Sequence, residues 1–190
     1  MRKQSPTASV QRDADTPMLF TQIRQPGTDF LVIPRVSSGR RRYIPMGFLS
    51  PEIIVGDKIQ FIEDATLYMF GILTSNVHMA WMRVFAGRLK NDYSYSPAVY
   101  NNFPWPDATG KQAAEIEKLA QGILDARENY KGASLADLYD PLAMPPDLLK
   151  AHRELDRAVM KLYGFNIKET TEASCVAALM ERYRVLVDLQ

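Results

Sequence analysis

The sequence predicts an α+β fold: a β-rich recognition subdomain around a central buried helix, followed by a small C-terminal α-helical bundle. Three features carry this expectation. Short apolar runs punctuated by Pro and Gly fill residues 28–63, and a segment that is apolar on nearly every side follows at Ala65–Phe85. Amphipathic stripes at helical spacing then occupy residues 107–190.

Taken in order, residues 1–15 are polar and are expected to form a disordered tail. Phe30-Leu31-Val32-Ile33 reads as a buried strand stopped by Pro34. Tyr43 to Leu49 is a second extended segment, interrupted by Pro45 and Gly47. Gly56-Asp57 signals a turn into Lys58-Ile59-Gln60-Phe61-Ile62, a half-buried strand. From Ala65 to Phe85 the residues Phe70, Leu73, Val77, Trp81 and Val84 recur at helical spacing, with methionines opposite, as in a central buried helix. Arg88 to Tyr95 alternates as a strand, with Arg88, Lys90, Asp92 and Ser94 on one polar face.

Tyr100 to Pro106 is an aromatic, proline-stiffened connector, so the expected units are 16–106 and 107–190. Three helical stripes follow. The first runs through Ile116, Leu119, Ala120, Ile123 and Leu124. The second runs through Leu148, His152, Leu155, Val159 and Leu162, opened by Pro145-Pro146 and closed by Gly164. The third runs through Val176, Leu179, Met180, Tyr183, Leu186 and Val187. Short helices of this kind make a bundle.

Composition narrows the function classes. With 46% hydrophobic and 24% charged residues the chain is expected to be globular and soluble. One cysteine excludes a disulfide framework and Cys-based zinc sites, and suits a reducing, cytoplasmic setting. No run of ~18 apolar residues suggests a membrane span, and the start lacks the apolar core of a secretory signal. The net charge of +1 hides an asymmetry: residues 1–100 hold 12 Lys and Arg against 8 Asp and Glu, the remainder 11 against 14. Arg40, Arg41 and Arg42 concentrate the excess, with Arg35 close by. Such a run is either a solvated surface or an anion-facing patch.

Catalytic chemistry is not evident. His78 and His152 lie in separate predicted helices without partners at metal spacing. Cys175 has no neighbouring His, and no phosphate-cradling Gly-rich loop or Gly-x-Ser-x-Gly elbow occurs.

Four longer strings nevertheless form a pattern. They are Pro34-Arg35 through Arg40-Arg41-Arg42-Tyr43-Ile44-Pro45-Met46-Gly47-Phe48-Leu49; Ala65 to Ser75 with His78 to Arg83; Gly87 to Tyr95-Ser96 with Val99 to Pro106; and Ser134 to Pro141 with Met144 to Leu148. Together they resemble the MmeI-type fused restriction–modification DNA methyltransferases, over nearly everything after residue 16. Only the DNA target-recognition and C-terminal helical parts of that family are matched. The nuclease motif, the cofactor loop and the Asn-Pro-Pro-aromatic motif have no counterpart here.

The resemblance implies sequence-specific readout of double-stranded DNA, with a methyltransferase domain in cis or trans. S-adenosylmethionine and Mg are expected only for the missing catalytic domains. It places specificity positions on Lys90, Asp92 and Ser94, and on Arg35 with Asp57 and Lys58. The chemistry suits them: Arg and Lys donate to guanine O6 and N7 in the major groove, and Asp accepts from cytosine N4. Arg40, Arg41 and Arg42 then fit phosphate contacts, Arg42 equally a structural ion-pair partner. The alternative is a truncated remnant or assembly domain that packs on a methyltransferase domain without binding DNA by itself.

Overall fold

Two small antiparallel sheets and a set of packed helices make up the computed structural model, which describes residues 2–16, 18–19 and 24–188. Near the start, a short helix α1 (Ala8–Arg12) lies between 3-10 turns at Arg2–Gln4 and Asp13–Asp15, and none of the three buries a residue. In the first sheet β1 (Phe30–Pro34) is central, between β3 (Gly47–Leu49) and β4 (Ile59–Ile62). Its apolar run explains that place, since Phe30 to Ile33 are all buried. The second sheet orders β2 (Val36–Ser37), β6 (Asp92–Ser94) and β5 (Gly87–Leu89).

A single residue joins the two sheets. The Arg35 amide donates to the Lys58 carbonyl at 2.9 Å, and its carbonyl accepts from the Tyr95 amide at 2.7 Å. Of the extended segment expected over Tyr43–Leu49, only Gly47–Leu49 is strand; Tyr43, Ile44 and Met46 are buried in a loop instead.

The helix expected over Ala65–Phe85 is two helices, α2 (Leu67–Leu73) and α3 (Asn76–Phe85). Ser75 makes the break. Its hydroxyl donates to the Ile72 carbonyl at 2.7 Å and accepts from the His78 amide at 3.4 Å, ending one helix while capping the next. Phe70, Leu73, Val77 and Trp81 are buried as expected, but Val84 is not.

A short helix α4 (Pro97–Asn101) closes the first part, and the C-terminal part comprises α5 (Gly110–Glu128), α6 (Leu135–Leu138), α7 (Pro146–Leu162) and α8 (Glu172–Asp188). A Thr109–Gln112 capping box starts α5, and Pro146 starts α7. The long helix α5 packs on both α2 and α7, while α3 packs on α8. Gly71 permits the first contact: a Cβ there would meet the Ile116 side chain at 2.7 Å. The buried residues form one continuous cluster from Leu31 to Leu179, so both parts share a core. At the end of α8, Leu186 and Val187 lie outside it, exposed, contrary to the expected stripe. No helix among the described residues is long and apolar enough to cross a membrane.

His78, His152 and Cys175 are packing residues. Burial holds the His78 imidazole down to about 3 and pushes the Cys175 thiol up to about 11.

Candidate functional site

The polar strand expected over Arg88–Tyr95 folds back on itself. Leu89 pairs with Asp92, which leaves Lys90-Asn91 as a two-residue hairpin turn between β5 and β6. Lys90 sits at φ 55°, the left-handed region such turns need at their first position. The expected common face therefore divides. Asp92 and Ser94 share one side of the sheet with Leu89, while Arg88 pairs with Tyr93 on the other. There the Arg88 guanidinium lies 3.9 Å over the Tyr93 ring. Lys90 belongs to neither face: it is the exposed tip.

A loop clamps this tip from below. The Gly39 amide donates to Asp92 Oδ1 at 3.3 Å, and a Cβ on Gly39 would stand 2.3 Å from the Asn91 carbonyl oxygen. Only glycine lets the loop backbone pass so close to the turn. Asp92 keeps Oδ2 for another donor.

Arg35, Asp57 and Lys58 form a second cluster. Arg35 Nη1 donates to the Asp57 carbonyl at 3.1 Å, and Lys58 Nζ stands 2.9 Å from Asp57 Oδ2. The Lys58 hydrogen bond, then its charge, holds the Asp57 carboxyl below its usual value. The Lys58 and Asp57 side chains are 77% and 81% exposed, so this pair contributes little to stability and remains free to exchange partners. The two clusters are neighbours: Arg35 precedes Val36, which pairs with Ser94. Asp57, Lys58 and Arg35 at the junction of the sheets, with Ser94, Asp92 and Lys90 along β6 and its turn, make up a polar edge, in which strand alternation puts Arg35 on the face opposite Ser94 and Asp92.

The three arginines after Gly39 differ. Arg40 is exposed, with no side-chain partner among the described residues. Arg41 Nη2 donates to the Ala136 carbonyl at 3.3 Å. The Arg42 guanidinium lies 5.5 Å over the Tyr43 ring, and its charge helps to hold down the Asp156 carboxyl behind that ring.

The far end of this loop is anchored by residues that sequence reading passes over. The Tyr43 hydroxyl donates to Asp156 Oδ2 at 2.6 Å, and the Asn76 amide donates to Asp156 Oδ1 at 2.7 Å. Burial pushes the Asp156 carboxyl up, against the opposing pull of those two bonds. Nearby, Arg127 donates to the Met46 carbonyl at 2.7 Å and, through Nε and Nη2, to the Tyr139 hydroxyl. Those donors occupy the phenol oxygen, so Tyr139 gives its own proton to His152 Nε2 at 2.7 Å. Asp156 could have been flagged as a carboxylate on an otherwise apolar helix face; nothing local marks Arg127.

Beside the polar edge, Ile33, Phe61, Ile62, Tyr95, Pro97 and Tyr100 line an apolar recess of about 230 Å³. No group of three or more His, Cys, Asp and Glu side chains among the described residues could hold a metal ion.

Comparison with known proteins gives the family. Residues 1–107 match the family described as "MmeI, target recognition domain", and residues 108–189 match "MmeI, C-terminal domain". The chain is 39% identical over 189 residues to DNA methyltransferase A of Bacillus subtilis (strain 168), covering 99% of this chain and 20% of that protein. It superimposes with a TM-score of 0.89 and 44% identity on the type IIL restriction-modification enzyme MmeI, solved in complex with DNA. That match covers 98% of this chain and 25% of the other.

Proposed function

The chain belongs to the MmeI family, carrying its target recognition and C-terminal domains, and from that premise we propose that it reads the sequence of double-stranded DNA for a restriction–modification methyltransferase. The observation that carries this reading is the exposed β5–β6 hairpin, joined through Arg35 to the strand that carries Asp57 and Lys58 at its start. A two-stranded β-ribbon fits the major groove, and the β5–β6 hairpin offers one with Lys90 at its tip. Lys90 then donates to guanine O6 and N7 while Asp92 accepts from cytosine N4, so the pair reads one G·C pair. Arg35 with Asp57 and Lys58 offers the same donor–acceptor combination farther along, and Ser94 lies between. Arg40, Arg41 and Arg42 hold the phosphates and set the register.

Catalysis belongs to other parts of the enzyme. S-adenosylmethionine and Mg are assigned to the catalytic domains of the family that this chain does not match. A second role, docking on the methyltransferase domain, is favoured by the apolar recess over Phe61 and Tyr95 and by exposed Ile53 and Ile54.

The test is a double exchange, Lys90→Glu with Asp92→Arg, in this module joined to an intact methyltransferase of the family. Methylation scored on duplexes varied at each position should invert one G·C preference to C·G, with each single variant losing about 1–3 kcal/mol of discrimination. An active double variant with an unchanged site would show that these residues do not read bases.

A further inference from the structure

Along the arginine loop, a polar recess of about 460 Å³ opens between the two parts of the chain. Arg40, Arg41 and Arg42 line it from the loop, Asn76 and Arg83 from α3, and Glu172 from the first turn of α8. Four arginines face one carboxylate, a strongly cationic concavity. Arg83 is the best held of the four. Its Nη1 stands 2.7 Å from Glu172 Oε2, and its Nη2 donates to the Arg42 carbonyl at 3.1 Å. The Arg83 side chain is only 24% exposed, which fixes its planar fork at the wall of the recess. Glu172 is 53% exposed and can swing away into water.

We infer that this recess seats a phosphodiester group of the DNA backbone, with Arg83 as the fixed donor and Glu172 as the group the phosphate displaces. The inference rests on the DNA-reading proposal but concerns phosphate, not bases. Before DNA arrives, Glu172 neutralises Arg83 through Nη1, while Nη2 stays on the Arg42 carbonyl. A phosphate oxygen takes over the Nη1 contact of Arg83, with Arg40 and Arg42 alongside. The C-terminal domain, through α8, is therefore part of the DNA-binding surface.

The test uses the full chain and a duplex of about 20 base pairs, with dissociation constants measured at several salt concentrations. Arg83→Ala should flatten the dependence of log affinity on log salt by about 0.9, the value of one lost phosphate contact. Arg83→Lys should keep that slope, because the charge remains. Glu172→Gln should bind severalfold tighter at every salt concentration, and base preference should not change in any of the three. A second readout is the Arg83 Nε–Hε NMR resonance titrated with inorganic phosphate, which should shift at lower phosphate in Glu172→Gln than in the wild type.

A purely structural ion pair predicts the opposite signature: Arg83→Ala and Glu172→Gln both weaken binding, with parallel salt slopes, and that result overturns the inference. Parallel slopes beside an intact base preference would overturn it alone. A flattened slope beside an absent base preference would support it while sinking the reading of Lys90 and Asp92. Failure of the wild-type chain to bind any duplex at low salt would overturn both.

Discussion

The polar edge and the buried seam between the two parts put polar side chains to opposite ends. At the edge, Arg35, Asp57, Lys58 and Lys90 are exposed, and each makes at most one or two exchangeable contacts. At the seam, Tyr43, Asp156, Tyr139 and His152 are almost wholly buried, and each meets a directed partner at 2.6–2.7 Å. Burial decides the role. In a low-dielectric interior a polar group left without its partner is expensive, so it fixes structure. In water the same group changes partners at little cost, which is what reading a variable DNA sequence requires.

The comparison breaks most decisively at Asp156. Asp156→Ala would leave the Tyr43 hydroxyl and the Asn76 amide buried without acceptors. We expect a loss of about 3–5 kcal/mol in urea denaturation. An edge substitution such as Lys58→Ala should stay within about 0.5 kcal/mol in the same experiment. Equal effects would abolish the distinction drawn between the two regions.

Acid should attack the buried histidines, not the exposed edge. His78 and His152 are buried, and burial is the leading cause that depresses each imidazole below its ordinary 6.5. Below that value the unfolded chain binds protons that the folded chain refuses. The stability these groups contribute is present above 6.5 and is lost as pH falls toward their depressed values. Each histidine adds a slope of up to about 1.4 kcal/mol per pH unit. For His78 the window runs from 6.5 down to about 3. Stability followed by denaturant titration across this range should fall less steeply in His78→Phe than in the wild type, and matching slopes would refute the assignment.

The smallest effect sharpens the contrast from the other side. Lys90 holds φ 55°, a conformation disfavoured for residues with a Cβ. Lys90→Gly should leave stability unchanged or raise it by up to about 1 kcal/mol while removing the preference at one base pair. Thermal melting together with binding to varied duplexes would check this. A marked loss of stability would mean that Lys90 supports the hairpin instead of reading DNA.

What the sequence reveals follows the same division. Phe30 to Ile33 and the stripes of α5 and α7 are legible because burial repeats at the period of the element. The α2–α3 break is hidden, because a segment that is apolar all round shows no interruption in its pattern; only Thr74-Ser75, a capping signal, betrays it. The β5–β6 hairpin is hidden because Lys90-Asn91 lacks the Asn-Gly or Asp-Gly signature of two-residue turns, so the alternation reads straight through it. The residue types at the edge are legible, since Arg, Lys and Asp carry the chemistry of base edges. The partners at the seam are not. Tyr43 and Asp156 lie 113 residues apart, and only the folded chain brings them together.

Arg127 has a consequence for how the molecule comes apart. From α5 it reaches the Met46 carbonyl in the β-rich part and Tyr139 in the helical part, while its guanidinium lies 5.4 Å over the Phe70 ring. The two matched family domains share one buried cluster across residue 107, and we expect them to unfold as one cooperative unit. In native-state hydrogen exchange the amides of β1 and of α7 should open in the same global event. A chain cleaved between residues 107 and 109 would remain one non-covalent particle, and neither half would fold alone.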